Sequence, residues 1–181
     1  CSSRFDRIIQ PEPLNGWRSD VPESKPRAPR NRTLTLSQTE RAHFAGQLLT
    51  ADRPLAPEQL QDRVVHADVF DVLPLLPSAF VDLLILDPPY NLSKDYNTTR
   101  FQQCDDDAYR AWLESWLPAL LRVLKPTASV YACSDWRSSS ALYAVLRQHL
   151  IVRNRITWER DKGRGARRNW KNNSEYIWFC T

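Results

Sequence analysis

Apolar positions along this chain fall into alternating strand-like and helix-like stretches, and one stretch organises the others. Residues 81–92 read VDLLILDPPYNL. Leu83, Leu84, Ile85 and Leu86 show no polar alternation, which predicts a strand covered on both sheet faces. Pro88 and Pro89 must end it, because proline cannot donate to a ladder and its ring fixes φ. An acid (Asp87), two rigid residues and the ring of Tyr90 are thereby presented at the carboxyl end of a strand. In open α/β sheets, that edge is where ligands bind.

The rest of the chain arranges itself around this strand. Residues 1–33 are rich in Pro, Arg and Ser without a hydrophobic period, which predicts an irregular extension that wraps the domain or stays mobile. Ser37 and Glu40 form an S-x-x-E capping box for a helix over 38–49. Val64 and Val65 predict a short strand ending in His66, Ala67 and Asp68, followed by a helix through Val69, Val72, Leu73 and Leu76 that Pro77 closes. A polar loop is expected over 91–103. Asp105 or Asp106 then caps the clearest helix, in which Tyr109, Trp112, Leu113, Trp116, Leu117, Leu120, Leu121 and Leu124 recur on one face. Pro118 lies inside that pattern and predicts a kink. Val130 to Cys133 predicts another strand, ending in Ser134-Asp135-Trp136. A helix over 137–149, a strand over 151–158, a basic loop over 160–173 and a last strand over 176–179 complete the order. Strands alternating with amphipathic helices imply an α/β sheet built from crossovers, and the last two strands, joined without a helix, should be antiparallel.

Composition narrows the class. Hydrophobic residues make up 42% and charged residues 25% of 181, ordinary for a globular domain. No apolar run approaches the roughly 18 residues of a membrane span, and the polar, proline-rich start does not resemble a signal peptide. The four cysteines (Cys1, Cys104, Cys133, Cys180) form no CxxC pair, which argues against a zinc site or a disulfide framework and fits a reducing cytoplasm. The net charge of +4 favours a polyanionic partner only weakly. Methionine is absent even at position 1, which reads as a fragment or as a sequence from which residues have been dropped.

Asp87-Pro88-Pro89-Tyr90 at a strand end resembles the catalytic motif of S-adenosylmethionine-dependent amino-methyltransferases of DNA. Asp68 one element upstream, Ser134-Asp135-Trp136 after the next strand and the basic loop before a closing hairpin agree with it. The resemblance spans about 64–181 and is greatest to the subgroup whose catalytic motif precedes the cofactor loop, as in the β-type adenine enzymes. It implies a Rossmann-like class I methyltransferase sheet, with S-adenosylmethionine as cofactor and double-stranded DNA as partner. It also implies a prokaryotic, cytoplasmic enzyme of restriction and modification that needs neither metal nor membrane. Asp87, Pro88, Pro89 and Tyr90 would be catalytic; Asp68, Asp87 and Pro88 would border the cofactor.

The chemistry of the residues supports this independently. The amino group of adenine is a poor nucleophile because its lone pair is delocalised into the ring. Asp87 and the carbonyl of Pro88 can accept its two N–H bonds, with two prolines holding these acceptors rigid. Tyr90 offers a flat face to a base taken out of the duplex. The plain alternative is a turn after a strand. Asp68 and Asp135 could equally cap the helices that follow them, and for Asp135 the cap is the stronger reading; Trp136 reads as core or pocket wall. Arg160, Lys162, Arg164, Arg167, Arg168 and Lys171, with Trp170 among them, suit phosphate contacts, against the alternative of a solvated charged face. Asn91, Ser93 and Lys94 could touch the flipped nucleotide or the cofactor.

The resemblance stops at the cofactor loop. No Phe-x-Gly-x-Gly segment is present, and Gly163 and Gly165 sit among arginines that would repel a sulfonium. The sequence therefore reads as the catalytic half of a methyltransferase domain over 34–181, with an incomplete sheet that a missing segment or a second chain would finish. The leading expectation is methyl transfer to N6 of adenine. A non-catalytic DNA-binding or regulatory fragment, and an N4-cytosine, RNA or protein-glutamine methyltransferase, stay open.

Overall fold

The structure, a computed structural model, describes residues 35–95, 100–164 and 170–181. The extension expected over 1–33 lies outside the described residues. The chain divides into two compact units, one holding described residues 35–76 and the other Pro77–Thr181.

In the first unit, α1 (Gln38–Ala45) begins at the expected capping box. The Glu40 amide donates to Ser37 Oγ at 3.2 Å and the Ser37 amide donates to Glu40 Oε2 at 2.8 Å. The Ser37 amide foremost, and then the Ser37 hydroxyl, which donates to Glu40 Oε2 at 2.8 Å, hold the Glu40 carboxyl below its usual range. The helix stops before Gly46, four residues short of the expected end, because Leu49 leaves it to make an isolated parallel bridge with Val65. This corrects the strand expected at Val64 and Val65: two hydrogen bonds, Leu49 N to Val64 O and His66 N to Leu49 O, both 2.9 Å, are all that forms there. Two valines supply β propensity, but the polar residues around them offer no apolar face to bury. Two short helices follow, α2 (Pro57–Leu60) and α3 (Val69–Val72), the latter tightening into a 3₁₀ turn at Leu73–Leu75 where Pro74 cannot donate.

The second unit is an open four-stranded mixed sheet. Its strands are β1 (Val81–Leu86), β4 (Leu124–Ser134), β5 (Val152–Arg164) and β6 (Asn172–Cys180), in the order β1-β4-β6-β5. β1 runs parallel to β4, with Leu86 opposite Ala132, and β6 runs antiparallel to both β4 and β5. The antiparallel closing pair was expected; its length was not. β5 extends through Arg164 and β6 begins at Asn172, so both ends of the basic segment expected as loop are strand. Gly163 fits this narrow ribbon, since a β-carbon there would lie 3.2 Å from that of Lys171. A small hairpin, β2 (Lys94–Asp95) and β3 (Arg100–Phe101), occupies the segment expected as polar loop.

Two helices cover one face of this sheet. Asp105 caps α4 (Asp106–Leu121) by accepting from the Ala108 amide at 2.8 Å. Tyr109, Trp112, Leu113 and Leu117 are buried as their spacing predicts, packing with Ala141, Leu142, Val145 and Leu146 of α5 (Ser139–His149) and with Val130 and Ala132 of β4. Leu124 belongs to β4, not to the helix. From β1, Leu84 and Leu86 join this core. Leu83 and Ile85 point the other way and are 52% and 70% exposed. The expected two-sided burial of β1 is therefore corrected. An unbroken apolar run implies a second covering layer, and neither α4 nor α5 lies on that side. Among the described residues, no helix is long and apolar enough to cross a membrane.

Candidate active site

β1 and β4 are parallel neighbours, so the segments leaving their carboxyl ends lie side by side. Asp87, Pro88, Pro89 and Tyr90 leave β1; Asp135 leaves β4. Asp87 is exposed, Pro88 buried, and Pro89 and Tyr90 half-buried. The Tyr90 phenol is held well above its usual range, by burial first and then by the charge of Asp87 and a hydrogen bond to it, with Cys133 and Asp135 adding to the effect. An acid and an aromatic ring are thus adjacent at the open end of the sheet.

The motif is anchored from beneath. Tyr109 of α4, only 1% exposed, donates its phenol proton to the Pro89 carbonyl at 2.9 Å. On the other side of Tyr90, the Asn91 side chain makes two bonds to the backbone of Cys104: Nδ2 donates to the carbonyl at 2.8 Å, and Oδ1 accepts from the amide at 2.9 Å. Asn91 is 4% exposed. Its amide is therefore spent inside the protein, which corrects the expectation that it reaches a nucleotide or cofactor. Ser93 Oγ accepts from the Gln103 amide at 3.1 Å.

Asp135 is buried, and its Oδ1 accepts from the Ser138 amide at 2.8 Å and from Ser138 Oγ at 2.5 Å. It closes the turn that leads into α5, whose N-cap is Ser138 and not Asp135, so the expected helix cap is corrected to a turn-closing role. Trp136 is not core: it is 55% exposed, with the Arg137 guanidinium 5.1 Å from its ring centre. In the first unit, Asp68 Oδ1 accepts from the Phe70 amide at 2.8 Å and so caps α3.

The basic residues separate into groups. Arg160 on β5 is half-buried and paired with Glu175 of β6. Lys162 and Arg164 lie on the outer part of β5, and Lys171 is exposed just before β6. Trp170 is 97% exposed. Arg167 and Arg168 lie outside the described residues. Among the described residues, no cluster of three or more His, Cys, Asp or Glu side chains is placed to hold a metal ion.

The four motif residues leave β1 where the apolar run ends, as expected, and side chains not read as part of the site hold them. Tyr109 read only as a member of the apolar stripe. The available signal was its hydroxyl, since a buried phenol needs an acceptor that leucine or phenylalanine would not.

A profile of a DNA methylase family matches residues 81–181. The chain is 32% identical to the Type II methyltransferase M.HpaI of Haemophilus parainfluenzae over 124 residues, 67% of this chain and 39% of that protein. It is 28% identical to the DNA adenine methyltransferase YhdJ of Escherichia coli strain K12 over 98 residues, 54% of this chain and 33% of that protein. Among solved structures, the PvuII DNA methyltransferase (cytosine-N4-specific) shares the fold with a TM-score of 0.50 at 14% identity, covering 65% of this chain and 48% of that one. The chain thus spans well under half the length of the curated relatives it matches.

Proposed function

This chain belongs to the family of DNA methylases that act on N6 or N4 amino groups, and from that premise we propose that it transfers a methyl group from S-adenosylmethionine to N6 of an adenine taken out of duplex DNA. The observation that carries the proposal is the placement of Asp87 and Tyr90 against each other at the open carboxyl end of β1. Residues 34–181 would then be the catalytic half of the domain, acting in restriction and modification as M.HpaI's designation as a Type II methyltransferase indicates for that relative.

Asp87 accepts one N–H of the exocyclic amino group and the Pro88 carbonyl accepts the other, which favours the tetrahedral nitrogen able to attack a methyl carbon. The two prolines restrict the backbone that presents these acceptors, so little reorganisation is needed when the base arrives. Tyr90 stacks on the extruded base, a contact worth roughly 1–3 kcal/mol. In-line approach of the amine to the methyl group then supplies much of the rate.

S-adenosylmethionine brings a methyl group on a positively charged sulfur. The chain fits it in part: the exposed carboxylate of Asp87 suits a neighbouring sulfonium, and Pro88 would form the wall beside it. Adenine is preferred over cytosine because the motif begins with Asp, and YhdJ carries adenine in its name. Duplex DNA would contact the basic segment 160–171, with Lys162, Arg164, Arg167, Arg168 and Lys171 on phosphates. Arg160 belongs to the same basic group, but its pairing with Glu175 leaves it the weakest of the set.

A second reading is a DNA-binding or regulatory role without catalysis, favoured by the absence of a Phe-x-Gly-x-Gly segment from the sequence. Plasmid DNA incubated with the protein and S-adenosylmethionine, then digested to nucleosides and analysed by mass spectrometry, separates the readings. N6-methyladenine is the expected product. N4-methylcytosine would overturn the choice of base, and no methylated base together with no calorimetric heat from S-adenosylmethionine would support the binding role.

A further inference from the structure

The four motif residues are held by two side chains whose polar atoms are otherwise unexplained by core packing. A phenylalanine at 109 would satisfy the ring contacts with Phe101 and Trp112 equally well. The hydroxyl donates to the Pro89 carbonyl at 2.9 Å, with the Ser138 side chain also beside it. Asn91 likewise makes a two-point clamp onto Cys104, across the small β2–β3 hairpin. The two anchors flank Tyr90 in sequence, one through the residue before it and one through the residue after it. Neither anchor atom is at the surface, since both residues are buried. With Pro88 and Pro89 fixing φ, the remaining freedom of this segment is rotation of the peptides around Tyr90, and the two anchors remove it.

We propose that Tyr109 and Asn91 are positioning residues of the methyl-acceptor site, locking the Pro89–Tyr90–Asn91 backbone so that Asp87 and Tyr90 keep the geometry a target base requires. This rests on the proposed function. The anchors touch neither base nor cofactor; they act through the backbone of the motif. A buried hydrogen bond of this kind contributes modestly to overall stability, so its loss should be felt locally more than globally.

The test pairs hydrogen exchange with kinetics in the full protein. Tyr109→Phe removes the donor and keeps the ring; Asn91→Ala removes the second anchor. Each should raise amide exchange at Tyr90, Asn91 and Leu92 by roughly five- to tenfold, the effect of losing one or two such bonds, with exchange in β4 and α5 unchanged. Each should lower kcat for methyl transfer with little change in KM for DNA. Leu113→Ala serves as the core comparison, lowering Tm without a selective rise at 90–92. Exchange at 90–92 that stays at the wild-type level, or rises only as part of a uniform increase, overturns the positioning role whatever the activity. A selective rise in a protein whose wild type transfers no methyl group would confirm the lock and overturn the methyl-acceptor reading instead.

Discussion

The carboxylate of Asp87 stands close enough to the phenol of Tyr90 for its charge to help hold that phenol above its usual range. The acid and the ring at the tip of β1 therefore form a pair before any substrate arrives.

The pair can be dissected. Tyr90→Phe keeps the stacking face and removes only the hydroxyl, so methyl transfer should fall less than about fivefold. Tyr90→Ala removes the face and should cost roughly 5- to 150-fold in kcat/KM, the equivalent of 1–3 kcal/mol. Steady-state kinetics on one oligonucleotide duplex decides this; equal losses for the two variants would count against stacking.

The hairpin predicts a division among its arginines. Neutralising Arg164, Arg167 and Arg168 together should flatten the slope of log affinity against log salt by about two to three units. Arg160→Ala should leave that slope nearly unchanged, because its guanidinium is engaged with Glu175. Titrations over a range of potassium chloride concentrations measure both. An unchanged slope in the triple variant would rule out the hairpin as the phosphate surface.

The two sides of the sheet should respond differently to truncation. Ile85→Ala, at a 70% exposed position, should cost under about 0.5 kcal/mol. Leu113→Ala, at a fully buried one, should cost about 2–5 kcal/mol. Urea denaturation reports both, and a large loss at Ile85 would mean that a covering layer lies on its side of the sheet.

Stability should fall in alkali. Burial raises the Cys180 thiol from its usual 9.0 to about 11. The unfolded chain therefore releases this proton at lower pH than the folded one. The contribution is intact below about pH 9 and is lost as pH rises towards 11. Denaturation midpoints taken from pH 8 to 11 should decline, and Cys180→Ala should decline less steeply between 9 and 10. Identical slopes would show that this thiol does not carry the effect.

What the sequence made legible was chiefly local. The Ser37–Glu40 box and the Asp105 cap depend on residues three apart, and the α4 stripe repeats its spacing through Leu117. The strand ends carrying Asp87 and Asp135 follow from apolar runs halted by proline or by an acid that closes a turn. Properties set by distant partners were harder to read. Val64 and Val65 look like a strand but find only a single bridge with Leu49. Arg160 and Lys162 look like loop, yet pairing with β6 carries them in a ribbon. The exposure of Leu83 and Ile85 depends on what covers the sheet, which no local pattern reveals. At the site, Asp87 and Tyr90 could be picked out from their chemistry, whereas the anchoring roles of Tyr109 and Asn91 could not, because their partners are backbone atoms 20 and 13 residues away.

The most direct test of the account is Asp87→Ala, assayed in parallel for methyl transfer and for DNA affinity at one salt concentration. Removing the acceptor carboxylate while leaving the basic hairpin and the Tyr90 ring in place should abolish transfer and change the dissociation constant by less than about threefold. Transfer at the wild-type rate, or a loss of affinity matching the loss of activity, would contradict the assignment of Asp87 as the group that receives the amine.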